Sequence, residues 1–288
     1  MAQAHVRMGC AVTVIEGDRA LGKDDPELAE VVLQTMRDEG VAFEEGSNAA
    51  KISGEAGAIT VETEDGRVIN GSHLLVAVGR KSNVDRLDLD KAGVETTKAG
   101  INVDDSLRSS NRRVYAIGDV AGGLQFTHVA GYHAGVVIRS ILFGLPSKTK
   151  LHHIPWVTYA APELAQVGLT EAQAREEHGD KLEVVRFHYN HNDRAIAERQ
   201  TKGFIKIMVV KGRPVGASIV GHQAGELITL WSLALVNNMK MSQIAAMVAP
   251  YPTISEINKR AAGAYFSPRL FESALVKTVV RAVQRLLP

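Results

Sequence analysis

The chain has 288 residues, 33 Lys and Arg against 32 Asp and Glu for a net charge of +1, 45% hydrophobic residues and a single Cys. At roughly 100–200 residues per domain the length predicts two domains, the balanced charge removes any general electrostatic case for nucleic acid, and one cysteine excludes a disulfide, a cysteine zinc site or a dithiol redox centre formed within one chain. No apolar run approaches the roughly 18–20 residues that span a bilayer, and the first five residues lack the pattern of a leader, so the expectation is a soluble, cytoplasmic protein.

Residues 2–8 read as the last turns of a helix capped by Gly9. The β-branched run 11–15 follows as a buried parallel strand that stops at Glu16 and the turn Gly17-Asp18. Cys10, just ahead of it, reads as a small core residue. Pro26 suits the first turn of a helix, Asp24 or Asp25 its N-cap and Gly40 its end, with Leu28, Val31, Val32, Thr35 and Met36 as the buried stripe. From Val41 to Val78 the period falls towards two, and Asp65-Gly66 turns a hairpin between residues 59–63 and 67–69. The run Leu74-Leu75-Val76-Ala77-Val78, stopping at Gly79, predicts a strand covered on both faces. Residues 114–117 predict another, ending at Gly118-Asp119, and 127–143 a buried helix closed by Gly144.

Beyond residue 148 the texture changes. Strands are predicted at 156–159, 182–187, 203–209 and 214–221, and helices at 225–237, 241–247, 255–265 and 268–287. The fold expected is an α/β, partial Rossmann-like nucleotide-binding part followed by an α+β interface domain.

In open parallel sheets ligands sit beyond the carboxyl ends of the strands. Glu16 stands where a carboxylate accepts hydrogen bonds from ribose hydroxyls, Gly79 and Gly118 permit close backbone approach, and Asp119 offers an acceptor to a polyol. Singly, each is more ordinary as a turn residue, and no Gly-x-Gly-x-x-Gly occurs anywhere in the chain. The His152-His153 and His188-x-x-His191 pairs lack a matching acid or cysteine, so no metal site is expected.

The order of four segments is more specific. Val12-Thr13-Val14-Ile15-Glu16, then residues 74–83, then 114–122, then Ala249-Pro250-Tyr251-Pro252-Thr253-Ile254-Ser255-Glu256 resemble the FAD-dependent pyridine nucleotide-disulfide oxidoreductases, in particular the dihydrolipoamide dehydrogenase and mercuric reductase branches. The resemblance implies residues 1–80 as part of an NAD(P)-binding domain, 81–148 as the end of an FAD-binding domain and 149–288 as an interface domain that forms a homodimer. By the same resemblance Glu16 holds the NAD adenosine ribose, Ala49 lies near the adenine and Gly79 faces the nicotinamide. Asp119 bonds the FAD ribitol, and Gln125, Phe126, Thr127 and His128 bring backbone amides to the flavin pyrimidine edge, where a helix N-terminus stabilises negative charge. NAD is preferred over NADP on Glu16 alone.

The departures matter as much. The Gly-rich loops and the redox cysteine pair of the family are missing, which implies the C-terminal part of a longer enzyme, and the alternative is a non-catalytic dimerisation module. Tyr251 replaces the family's catalytic histidine while Glu256 is retained. A phenol with an ordinary pKa near 10 is no neutral-pH base but can donate or orient a hydrogen bond. The tyrosine suits mercuric reductases, yet their vicinal C-terminal cysteines are also missing. The last predicted helix sets Leu270, Phe271, Leu275, Val279, Val283 and Leu286 opposite Lys277, Arg281 and Arg285, and packing on the dimer is preferred over a membrane-surface role.

Overall fold

A computed structural model describes residues 1–287. The chain divides into two compact units: Met1–Leu74 joined with everything from Pro155 onward, and Leu75–Ile154.

The first unit begins with α1 (Ala2–Arg7), β1 (Val12–Glu16), α2 (Pro26–Asp38) and β2 (Val41–Glu45), with β1 and β2 paired in parallel. Asp25 caps α2 by accepting the Glu27 N–H, and Pro26 occupies the first helical position, where its missing N–H costs nothing. A three-stranded antiparallel sheet follows: β3 (Ala49–Glu55), β4 (Ala58–Thr63) and β5 (Val68–Gly71).

The second unit holds the short hairpin β6 (Thr96–Thr97) and β7 (Gly100–Ile101), a 3-10 turn over Gly118–Ala121, and α3 (Thr127–Phe143). The chain then re-enters the first unit with β8 (Trp156–Thr158), β9 (Glu163–Gly168), α4 (Glu171–His178), β10 (Leu182–His188) and α5 (Asp193–Ala197). It continues through β11 (Phe204–Val210), β12 (Arg213–Gly221), α6 (Ala224–Val236), α7 (Met241–Ala245), α8 (Glu256–Ala264), α9 (Ser267–Phe271) and α10 (Ala274–Leu286).

Strands β8 to β12 form an antiparallel sheet in the order β10-β11-β12-β9-β8. Because side chains alternate along a strand, β11 serves two cores. Ile205, Ile207 and Val209 pack with Trp231 of α6 and Ile257 of α8, whereas Phe204 packs with Leu28 and Val32 of α2. On the α2 side, Lys206 is almost wholly buried, and its ammonium lies 2.9 Å from each Asp25 carboxylate oxygen, 2.7 Å from Glu27 and 2.8 Å from Glu171. Arg186 bridges Glu27 and Glu171 from outside. One residue therefore caps α2 and also binds this helix electrostatically to the sheet.

Several expectations are corrected. Residues 74–78 form no strand, and Leu75 and Val78 are 60% and 95% exposed. A doubly covered strand needs neighbours on both edges and layers on both faces, and none lie against this run among the described residues. Residues 114–117 reach only an isolated bridge from Arg108 to Tyr115, although Ala116 is buried. Cys10 is exposed, not core, in the turn between α1 and β1. The long C-terminal helix breaks after Phe271, and α10 restarts with the Ser273 hydroxyl accepting the Val276 N–H. Helix α3 keeps its predicted bounds but buries only one stripe, with Ile141, Leu142 and Phe143 exposed.

Candidate functional site

Within the second unit, three separated segments converge. The Gly118 N–H donates to Nδ1 of buried His133 on α3 at 3.1 Å, which fixes the ring as the Nε2–H tautomer. Burial also pushes this imidazole's pKa down, in keeping with a neutral ring. Gly118 has φ +68°, and a Cβ there would stand 2.9 Å from the Ala130 Cβ, so both backbone shape and space require glycine. The turn thus presents Asp119 exposed, with no side-chain hydrogen bond among the described residues, while its carbonyl accepts from the Ser82 hydroxyl at 3.1 Å. Arg80 donates to the Gln125 carbonyl at 2.7 Å, joining the segment after Gly79 to the start of α3. Gly79 has φ +134° and open space where a Cβ would be.

Helix α3 starts without a side-chain cap: Phe126 occupies the N-cap with extended backbone, and its ring stacks on His128 at 5.3 Å. The positive end of the helix dipole, beginning at Thr127, is therefore not neutralised by a capping carboxylate or hydroxyl. Arg80 and Ser82, which clasp these segments, belong to a family-like run but carry no assigned role in the sequence. Ser82 lies in the family-like run 74–83, and its hydroxyl also donates to the Ala99 carbonyl at 2.6 Å.

Two further groups belong to the first unit. Glu16, half-buried at the end of β1, accepts the Asp18 N–H at 3.2 Å, and the loop beyond it closes when Gly46 N–H donates to the Asp18 carbonyl. Gly17 is pressed against the Asn48 side chain, so Glu16 and Ala49, the first residue of β3, share one neighbourhood. At the other end, the exposed Tyr251 hydroxyl donates to Asp193 Oδ2 at 2.9 Å, and this carboxylate raises the phenol's pKa above its ordinary value. Glu256 pairs with Arg260 at 2.9 Å and makes no hydrogen bond to Tyr251 among the described residues. Asp193, one residue after the cap of α5, carried no sequence signal because its partner lies 58 residues away. No group of three or more His, Cys, Asp or Glu that could hold a metal ion exists among the described residues. Likewise, none of the described helices is long and apolar enough to cross a membrane.

A parallel strand pair with an acid at its end, followed by a helix-flanked antiparallel sheet, defines a dinucleotide-type fold attached to an interface-type domain. Residues 1–134 match the pyridine nucleotide-disulphide oxidoreductase family and residues 154–262 its dimerisation domain, so the chain belongs to the pyridine nucleotide-disulphide oxidoreductases. It is 35% identical over 269 residues to a mercuric reductase of Lysinibacillus sphaericus, covering 91% of this chain and 49% of that protein. With a dihydrolipoyl dehydrogenase of Bacillus subtilis it shares 32% identity over 254 residues, 87% of this chain and 55% of the relative. LpdA from Mycobacterium tuberculosis superimposes with a TM-score of 0.85 at 25% identity, covering 91% of this chain and 58% of that one. The HOCl-induced flavoprotein disulfide reductase RclA from Escherichia coli gives 0.84 at 26% identity, with coverages of 91% and 61%. The chain spans about half the length of the curated relatives it matches.

Proposed function

We propose that this chain supplies cofactor-facing residues and the dimerising domain of an FAD- and NAD(P)-dependent oxidoreductase that passes electrons from NAD(P)H through FAD to a disulfide or related acceptor. The observation that carries this reading is the convergence of Gly79, Asp119 and residues 125–128 around Arg80 and Ser82.

The residues present fit part of such a cofactor. Asp119 has a carboxylate open to a ribitol hydroxyl, the uncapped start of α3 offers N–H groups and a positive dipole end to the pyrimidine edge, and Gly79 leaves room for a nicotinamide. Flavin, when bound, supplies the two-electron relay between nicotinamide and acceptor. In the first unit Glu16 would accept from the adenosine ribose of NAD and repel the 2′-phosphate of NADP, with Ala49 beside the adenine. Tyr251, held by Asp193, would orient a bound group by hydrogen bonding, and Glu256 would hold Arg260 beside it. The match of residues 154–262 to the dimerisation domain supports a homodimer.

A second reading, a dimerising module without catalysis, is favoured by the cysteine count: Cys10 is the chain's only thiol and it is exposed in a turn. The visible spectrum of the purified chain after gel filtration with FAD tests the first reading. A flavin band that co-elutes with a dimer is expected. A colourless dimer would contradict it and leave the second.

A further inference from the structure

The C-terminal helix α10 lies outside the stretch matched to the dimerisation domain, which ends at residue 262. It buries none of its residues, lies against α9 and joins none of the hydrophobic clusters. At about 100° per residue, Leu275, Val276, Val279, Val280, Val283 and Leu286 fall within an arc of roughly 140°, and Lys277, Arg281 and Arg285 fall on the opposite side. Leu275 and Leu286 are 74% and 81% exposed. The preceding helix α9 carries two further exposed apolar side chains, Leu270 and Phe271.

The charge pattern decides between occupants. From Ser273 to Pro288 there is no Asp or Glu, so the polar face is purely cationic in a chain whose overall charge is nearly balanced. The helix dipole accounts for Arg285 in the last turn but not for the absence of acids from the rest of the helix, where mixed charge would solvate a polar face equally well and add intrahelical pairs. A surface helix seated at the boundary of headgroups and acyl chains gains from both faces: the apolar arc enters the acyl region and the cations meet anionic headgroups.

We infer that α10 is a membrane-surface helix that binds anionic bilayers in the plane of the interface. This reading departs from the preference in the sequence for packing on a dimer, and rests on the cationic polar face of α10 and on its place outside the matched domain. The inference does not depend on the redox reading.

Co-sedimentation of the full chain with vesicles tests it. The chain should pellet with phosphatidylcholine vesicles containing phosphatidylglycerol, remain in the supernatant with phosphatidylcholine alone, and be released as salt screens the charges. Each of Lys277→Gln, Arg281→Gln and Arg285→Gln should weaken binding about fivefold, and Val279→Asp should abolish it. All four positions are exposed, so the fold is retained. Retention in the supernatant with both vesicle types overturns the inference, and so does pelleting that the four substitutions leave unchanged. A shift from dimer to monomer on Val279→Asp in sedimentation velocity also overturns it, because the apolar face would then belong to a second copy.

Discussion

Strand β11 and residues 74–78 are both short, β-branched apolar runs, and their fates differ completely. In β11 every residue but the last is buried, with one neighbour strand on each edge and helices on both faces. Residues 74–78 pair with no strand and lie exposed, with Val78 almost entirely in solvent. The pattern of a buried strand specifies a demand for partners, and only the sheet built by β8 to β12 supplies them within this chain. The sheet of β8 to β12 is therefore covered within its own unit, by α6 and α8 on one face and α2 on the other, whereas the unit bearing Asp119 and α3 leaves apolar surface uncovered.

Substitutions should break this contrast most sharply at Lys206. Lys206→Ala leaves Asp25 buried beside two further carboxylates without its cation, and should cost about 3–5 kcal/mol in urea denaturation. Val78→Thr, in the exposed run, should stay within about 0.5 kcal/mol of the parent. Between these extremes, Trp231→Phe removes the indole N–H that donates to buried Asn258 Oδ1 at 2.8 Å, and should cost about 1–3 kcal/mol in the same measurement.

Acid should separate the two units by pH window. His133 has a folded pKa below its ordinary imidazole value, so the unfolded chain binds a proton first and the second unit loses stability as pH falls below that value. Glu27 is lowered to about 2, chiefly by its hydrogen bond from Arg186, so its contribution is complete above the ordinary carboxylate value and disappears as pH falls towards 2. Loss of tertiary signal from the second unit should thus begin at higher pH than loss from the first, as resolved by histidine NMR and tryptophan fluorescence. The smallest effect is expected at Asp193→Asn. It should return the Tyr251 phenol towards its ordinary pKa, read as the difference titration against Tyr251→Phe, with little change in stability at this exposed pair.

Much of the architecture was legible because its determinants are local. Asp25-Pro26 begins α2 where capping and proline geometry require, Asp65-Gly66 turns β4 into β5, and the bounds of α3 follow from its apolar run and Gly144. Some local signals were passed over: Thr170 and Gln173 form the capping box that opens α4, and Pro162 masked the start of β9. Glu16 ends β1 and residues 125–128 lead into α3, whereas Gly79 and Asp119 follow apolar runs that form no strand, so their proposed roles rest on the family-like motifs and not on element ends. Arg80, Ser82, Asp193 and the Lys206 cluster were not legible, since each acts through a partner 37 to 181 residues distant. Cys10 and residues 74–78 were misread for one reason: hydrophobicity reports what a residue can bury and is silent on whether this chain supplies the cover.

Hydrogen exchange of the chain, with and without FAD, tests the division of labour most directly. The account predicts strong protection of β9, β11 and β12 in both conditions, and free exchange at residues 75–78 and 123–128 that slows when FAD is added. Protection of residues 75–78 in the chain alone, or an exchange pattern that FAD leaves unchanged, would contradict it.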